Sequence, residues 1–146
     1  MLNMVIHTDG GARGNPGPAG IGVLIELDNQ TNSKTDNSDN RVEISKYIGE
    51  KTNNQAEYEA VIEALKWIHE NIKDDIDAEF LLDSELVVHQ LNGKYKVKNE
   101  GLKPLFWEAR DLVLKLGGRV SFSHISREKN QVADKLVNNA IDKAVE

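Results

Sequence analysis

Glu57 stands at the start of the longest helical pattern in the chain, on the face that carries the apolar residues. Read forward at helical spacing, that face continues through Ala60, Val61, Ala64, Leu65, Ile68 and Ile72. A carboxylate on a buried face needs a cation or a hydrogen-bond donor, because desolvating a lone charge is costly or neutralises the group. The alternative is a first-turn glutamate that points to solvent and favours the positive end of the helix dipole.

Three further acids stand at comparable positions. Asp9 and Asp83 each end a predicted strand, and Asp134 lies on the apolar face of the last predicted helix. In mixed α/β folds, strand ends and helix starts of this kind can converge at one edge of the sheet. We therefore expect the four acids to form one cluster.

Four clustered carboxylates would repel one another, and divalent cations would relieve that repulsion. The chain has no cysteine, so thiolate sites are excluded, and oxygen ligands favour Mg²⁺ or Mn²⁺. Two such ions, about 3.5–4 Å apart, can activate a water and stabilise the leaving oxygen of a phosphodiester. Because the chain has 24 Asp and Glu residues, the sequences around these acids carry more weight than their number.

Hydrophobic periodicity predicts the elements that must position the acids. Five strands are predicted at residues 3–8, 21–27, 41–48, 78–82 and 120–125, and helices open near residue 52 and span 85–91, 102–116 and the stretch after residue 130. This order predicts an α/β fold with a mixed five-stranded sheet. Three strands form an antiparallel meander, two are parallel, and helices pack on both faces.

Two stretches in the first part of the chain are predicted to be connections between strands, without a catalytic role of their own. The first strand is expected to end at Asp9, so that the glycine-rich stretch 10–20 is a hairpin connection rather than regular strand. This stretch lacks the Gly-Lys-Ser/Thr ending of a P-loop. The polar tract 28–40 is predicted to be a loose hairpin tip.

Length and composition limit the class of protein. A chain of 146 residues without a long linker predicts a single domain over residues 1–146, and a monomer is expected. The net charge of −6 argues against a protein that coats nucleic acid through a global positive field. No basic leader or long apolar span is found, so no membrane partner is expected and a cytoplasmic location is predicted.

Short sequences around the four acids resemble, in the same order, the motifs of type 1 ribonuclease H. They are Thr-Asp-Gly-Gly at 8–11 with Gly-Asn-Pro-Gly at 14–17, Thr-Asn-Asn-Gln-Ala-Glu at 52–57, Leu-Asp-Ser at 82–84 and Asn-Gln-Val-Ala-Asp-Lys-Leu at 130–136. The resemblance covers essentially the whole chain. It implies a ribonuclease H-like fold for the predicted sheet and helices.

The resemblance also implies an activity. It points to an endoribonuclease that hydrolyses the RNA strand of RNA/DNA hybrids, with double-stranded RNA as a further candidate substrate. Asp9, Glu57, Asp83 and Asp134 would be the catalytic, metal-binding acids for two Mg²⁺ or Mn²⁺ ions. The alternative is a non-catalytic nucleic-acid binding module that keeps the ribonuclease H fold.

The resemblance extends to residues that would contact the hybrid. The implied substrate-binding residues are Gly10, Gly11, Asn15, Thr52, Asn53, Asn54 and Gln55. Short neutral amides suit the 2′-hydroxyls in the shallow minor groove of a hybrid, whereas Thr52 and the two glycine amides suit a phosphate. Asn15 and Asn53 are also expected to serve in the turn and at the helix start.

Two features indicate the short, archaeal-like branch of the family. The loop after the last strand offers both His124 and Arg127 as assistants to turnover, the histidine by analogy with bacterial members and the arginine by analogy with the short branch. Only residues 92–101 stand where many bacterial members insert a basic protrusion. Three lysines within this segment and one just after it (Lys94, Lys96, Lys98 and Lys103) predict either a smaller phosphate-binding patch or a solvated loop.

Overall fold

The computed structural model of this chain describes residues 1–28 and 40–146, which form a single sheet with helices on both sides. The strands are β1 (Leu2–Ala12), β2 (Gly17–Asp28), β3 (Arg41–Lys51), β4 (Ile76–Leu82) and β5 (Gly118–His124). The helices are α1 (Asn53–Asn71), α2 (Glu85–Leu91), α3 (Lys103–Lys115) and α4 (Gln131–Val145). None of the helices in these ranges combines the length and apolar character that crossing a bilayer requires.

The sheet confirms the predicted α/β topology. Its strand order is β3-β2-β1-β4-β5; β1, β2 and β3 are antiparallel, while β1, β4 and β5 run parallel. In the parallel pair of β1 and β4, Thr8 is the partner of Leu82. The next residues of the two strands, Asp9 and Asp83, therefore lie side by side at the carboxyl edge of the sheet.

Helix α1 covers one face of the sheet and α4 covers the other. The apolar stripe of α1 from Ala60 to Ile68 is buried in the main core, and α4 packs on β2, β3 and β1. Where α4 crosses β2, a side chain at Gly22 would overlap the Ala133 carbonyl and lie 2.9 Å from Cβ of Leu136. Glycine in β2 thus lets the helix that carries Asp134 approach the sheet closely.

The glycine-rich stretch differs from the prediction. β1 continues through Gly10 and Gly11 to Ala12, and β2 already begins at Gly17, so only residues 13–16 form the connection. The prediction was wrong because glycine lowers strand propensity by itself, whereas here the helices on both faces require residues without side chains. Residues 29–39 of the predicted polar hairpin tip lie outside the described residues.

A buried hydrogen bond fixes α1 against α2. The Tyr58 hydroxyl donates to Oε1 of Gln90 at 2.6 Å, and both side chains are buried. Burial raises the pKa of Tyr58, which keeps the hydroxyl a donor at any physiological pH. Because Glu57 precedes this tyrosine and Asp83 precedes α2, the bond holds two acid-bearing parts of the chain at a fixed distance.

Candidate active site

Three of the four predicted acids share one centre at the carboxyl edge of the sheet. Asp9, Glu57 and Asp83 each place a carboxylate oxygen so that the three oxygens lie within 4.8 Å of one another. Asp9 is only 7% exposed and Glu57 only 8%. Asp134, at the start of α4, lines the same cavity and acts electrostatically on Asp9. The structure therefore brings all four acids together.

The backbone amide of Gly10 connects the first two acids. It donates to Oδ1 of Asp9 and to Oε1 of Glu57, each at 3.0 Å. The capping box of α1 is formed by Thr52 and Gln55 instead, so Glu57 is not a capping residue. The alternative of a solvent-facing first-turn glutamate is therefore wrong, and the expected donor beside the buried carboxylate is a backbone amide.

Burial and, after it, the mutual repulsion of the acids determine the electrostatics of the cluster. Burial raises the pKa of Asp9 to about 8, and the charges of Asp83 and Asp134 contribute in the same direction. Burial also raises the pKa of Glu57, and Asp9 and Asp83 add to this effect, while the Gly10 amide and the positive charge of Arg127 oppose it. In the described ranges, no lysine or arginine forms an ion pair with any of the four acids.

This donor set has the chemistry of a site for hard divalent cations. Carboxylate oxygens are the ligands that Mg²⁺ and Mn²⁺ prefer, and the centre contains no sulfur or imidazole donor. Protein cations and bound metal are the two usual ways to compensate such a cluster. Since the described part of the chain supplies no paired cation, the three clustered acids fit a metal ion.

The acids line an open cavity of about 560 Å³. The predicted site residues that line it are Asp9, Gly10, Gly11, Asn53, Glu57, Asp83, Arg127 and Asp134. Arg127 therefore faces the centre, whereas His124 is exposed at the end of β5, paired with Leu82, and does not line the cavity. Of the two candidates in this loop, the structure places only the arginine beside the acids.

The remaining predicted substrate-binding residues surround the entrance to α1. Oδ1 of Asn15 accepts a hydrogen bond from the Asn53 amide at 2.9 Å, and Oδ1 of Asn53 accepts one from the Ala12 amide at 2.8 Å. Asn15 therefore holds the first amide of α1, as expected of a residue at the helix start, whereas the Asn53 side chain joins α1 to β1 and does not cap the helix. The side chains of Thr52 and Gln55 form the hydrogen bonds of the capping box, and Asn54 is exposed.

Three further residues at the site were missed in the sequence. Arg13 and Asn138 line the cavity, and Arg13 is held by Asp142 at 2.7 Å and by Oδ1 of Asn138 at 3.3 Å. Asn130 is buried and its side-chain amide contacts the Asp83 carboxylate. Asn130 lay within a motif that resembled the family and Arg13 lay between two of them, which was the available signal.

The comparison with known proteins agrees with this geometry. A family model described as "Reverse transcriptase-like" matches residues 7–140. Ribonuclease HI of Halobacterium salinarum is 38% identical over 139 residues, which are 94% of this chain and 64% of that protein. The chain belongs to the type 1 ribonuclease H family.

Two other relatives extend this comparison of the ribonuclease H chain. The crystal structure of LC11-RNase H1 in complex with an RNA/DNA hybrid has a TM-score of 0.84 and 48% identity, and the match covers 98% of this chain and 99% of that one. The bifunctional protein Rv2228c of Mycobacterium tuberculosis is 37% identical over 146 residues, 99% of this chain but only 37% of Rv2228c. This ribonuclease H chain thus spans little more than a third of that relative.

The predicted lysine segment lies along a second cleft. The cleft has a volume of about 690 Å³ and is lined by Lys96, Lys98 and Lys103 together with the aromatic residues Tyr95 and Trp107. Tyr95 and Trp107 are 52% and 60% exposed. Apolar contact surface and cations occur here together, although Lys103 is paired with Glu100 at 2.8 Å. Phosphate binding by these lysines stays a prediction.

Without divalent metal, the free energy of unfolding of this chain should fall as the pH rises from about 5 to about 8. The pKa of Asp9 is ordinarily 3.8, and burial raises it to about 8 in the folded chain. Between these two values the folded state holds a proton that the unfolded state has lost. Stability therefore decreases with rising pH. Urea unfolding in a chelating buffer measures this slope, and a stability that rises over the same range would contradict it.

Proposed function

We propose that this chain is an endoribonuclease that hydrolyses the RNA strand of RNA/DNA hybrids with the help of Mg²⁺ or Mn²⁺. The observation that carries the proposal is the cluster of Asp9, Glu57 and Asp83, whose oxygens lie within 4.8 Å of one another without a paired lysine or arginine in the described ranges. The complex of the related LC11-RNase H1 with a hybrid supports the choice of substrate.

The four acids hold the metal and orient the scissile phosphate. Divalent ions held by these acids would supply an activated water and stabilise the leaving oxygen of the phosphodiester. Asp9 and Glu57 come from the two buried elements that Gly10 joins, so they form the rigid side of the site. Asp83 and the half-buried Asp134 complete the set from β4 and α4. Because the pKa values of Asp9 and Glu57 are raised, these two acids would have to give up their protons to act as metal ligands.

Asn15 and Asn53 read the hybrid through their amide hydrogens. Their Oδ1 atoms are already used within the protein, and within residues 1–28 and 40–146 neither Nδ2 atom donates to a protein acceptor. Both Nδ2 groups are therefore available to 2′-hydroxyls in the minor groove. Asn54, which is exposed, and the Gly11 amide add contacts to the sugar-phosphate backbone, whereas the predicted Gly10 amide already donates to Asp9 and Glu57.

Arg127 is the loop residue that assists turnover. It lines the acid cavity, and its positive charge acts on Glu57 without forming an ion pair with it. Because Arg127 is not held in an ion pair with the acids, it can attract a phosphate oxygen and still release the product. His124 is exposed at the end of β5, and a role for it in turnover stays a prediction.

The alternative of a non-catalytic binding module is less favoured by the charge distribution. A module that only binds a polyanion has no reason to keep four acids unpaired at the centre of its contact surface. Double-stranded RNA as a second substrate, a single domain over residues 1–146, a monomeric state and a cytoplasmic location remain predictions. Activities of any longer protein that contains this chain lie beyond the proposal.

The proposal is tested by incubating labelled RNA/DNA hybrid, double-stranded RNA and double-stranded DNA with the wild type and Asp83→Asn. Each reaction contains either Mg²⁺ or a chelator. We expect metal-dependent cleavage of the RNA strand of the hybrid and a loss of about a thousandfold or more in Asp83→Asn, because that variant removes a carboxylate ligand.

Asp77→Asn is the matched control. Asp77 lies on β4, the strand that ends immediately before Asp83, but its carboxylate pairs with Arg119 at 2.9 Å, so its removal should leave cleavage unchanged. Hybrid cleavage that survives either the chelator or the Asp83 substitution would refute the proposed mechanism. Metal-independent binding of the hybrid without cleavage would favour the binding module.

A further inference from the structure

We infer that Asn130 is a positioning residue that orients Asp83 and joins three acid-bearing segments through one side chain; this rests on the proposed function. Asn130 is the last residue before α4 and is only 1% exposed. Its Nδ2 group donates to the Thr8 carbonyl at 2.9 Å and to Oδ2 of Asp83 at 3.3 Å.

The same residue also connects to the fourth acid through its backbone. The Asp134 amide donates to the Asn130 carbonyl oxygen at 3.1 Å, in the first turn of α4. Thr8 immediately precedes Asp9 in β1. Asn130 therefore contacts Asp83 directly, while Asp9 and Asp134 are each one short backbone link away. No other side chain in the described ranges hydrogen-bonds to both β1 and the Asp83 carboxylate.

The ordinary reason for an asparagine before a helix does not apply here. Asparagine commonly precedes a helix because its side-chain oxygen accepts a bond from an amide in the first turn. Asn130 makes no such capping bond. Its side chain turns instead toward the sheet, and both hydrogens of the amide face acceptors on other elements.

The carbonyl end of the side chain is left without a partner. Oδ1 of Asn130 is buried, and no donor among the described residues reaches it. An unpaired buried oxygen is destabilising. The opposite amide orientation would direct this oxygen at the Thr8 carbonyl and the Asp83 carboxylate, which are both acceptors. The two-donor contact therefore outweighs the unsatisfied oxygen.

A neutral donor suits this position better than a cation. One oxygen of Asp83 is held by the amide, which leaves the second oxygen free of this bond. Lysine or arginine at the same place would form an ion pair with Asp83 and compensate charge that the metal ions are expected to compensate. Asn130 fixes the direction of the carboxylate and preserves the negative charge of the cluster.

Asn130→Ala should lower kcat on the hybrid by about 10–100-fold and change KM by less than about threefold. The rise in melting temperature on adding saturating Mg²⁺ should shrink, because Asp83 is no longer oriented toward the metal. The second readout needs no substrate. Asn130→Asp, which is similar in size but has no donor, should resemble Asn130→Ala in both measurements.

Asn92→Ala is the matched control. The Asn92 side chain also donates its Nδ2 group to a strand carbonyl, that of Phe122 at 3.1 Å, but it lies away from the acids. This variant should retain the wild-type kcat and the full Mg²⁺ effect, even where it lowers the melting temperature. A kcat and a Mg²⁺ effect in Asn130→Ala that both match those of Asn92→Ala would overturn the inference.

A measurement on the wild type covers the case in which the Asn130 variants do not fold. In a ¹⁵N spectrum, the side-chain amide protons of Asn130 should exchange slowly with solvent and shift on addition of Mg²⁺. Fast exchange, or no shift at saturating Mg²⁺, would refute the positioning role. Failure of the wild type to cut the hybrid contradicts the proposed function. Normal cutting, together with Asn130 amide protons that exchange fast or do not shift with Mg²⁺, contradicts only this inference.

Discussion

Asp9→Asn should abolish hybrid cleavage and, in the absence of metal, make the chain more resistant to unfolding. Asp9 is 7% exposed, and its desolvation together with the charges of Asp83 and Asp134 raises its pKa to about 8. A carboxamide has no charge to desolvate, and its oxygen can still accept the bond from the Gly10 amide. We expect the free energy of unfolding to rise by roughly 1–3 kcal/mol above pH 8.

The sign of this effect depends on pH. The wild type loses stability as the pH rises from 3.8 to about 8, because over this range the folded state keeps the Asp9 proton that the unfolded state has released. The gain in Asp9→Asn should therefore be large at about pH 9 and small at about pH 5, measured by urea unfolding in a chelator. Asp77→Asn serves as control, since its carboxylate pairs with Arg119 and its loss should not stabilise. A gain that is equal at both pH values would contradict this account.

Gly10→Ala should destabilise the protein by about 3 kcal/mol or more and disrupt the acid cluster. A Cβ atom at Gly10 would overlap the Ala56 backbone and lie 2.6 Å from the Glu57 amide nitrogen. Alanine normally stabilises a strand relative to glycine, so the steric overlap decides the sign. Helix α1 would have to move away from β1, and the bond between the Gly10 amide and Glu57 would lengthen or break.

The neighbouring glycine provides the control for this prediction. A Cβ atom at Gly11 would meet Cγ1 of Val137 at 3.8 Å, which is ordinary contact. Gly11→Ala should therefore change the free energy of unfolding by less than about 1 kcal/mol. Chemical denaturation of both variants in the same buffer measures the difference. Similar losses in the two variants would show that the clash at Gly10 is not the cause.

Local patterns were sufficient for the elements and for the choice of acids. The apolar stripe of α1, the Ser84 cap before α2 and the order of strands and helices follow from periodicities of two and 3.6 residues, which are visible without tertiary contacts. Glu57 was identifiable because a carboxylate interrupts an otherwise apolar face. The ends of β1 and β2 could not be identified in this way. Glycine occurs in these strands because α1 and α4 pack closely against them, and such tertiary contacts are not visible in the local sequence.

By itself, the sequence determined an α/β sheet, four acids at strand ends and helix starts, and motifs of the ribonuclease H family. Only the tertiary structure decided how these parts meet: the register of β1 against β4 sets Asp9 beside Asp83, and Arg127 rather than His124 faces the cavity. It also assigned the Asn130 side chain to the Asp83 carboxylate instead of a helix cap. Side-chain direction and register depend on residues distant in the chain, so no local pattern contains them.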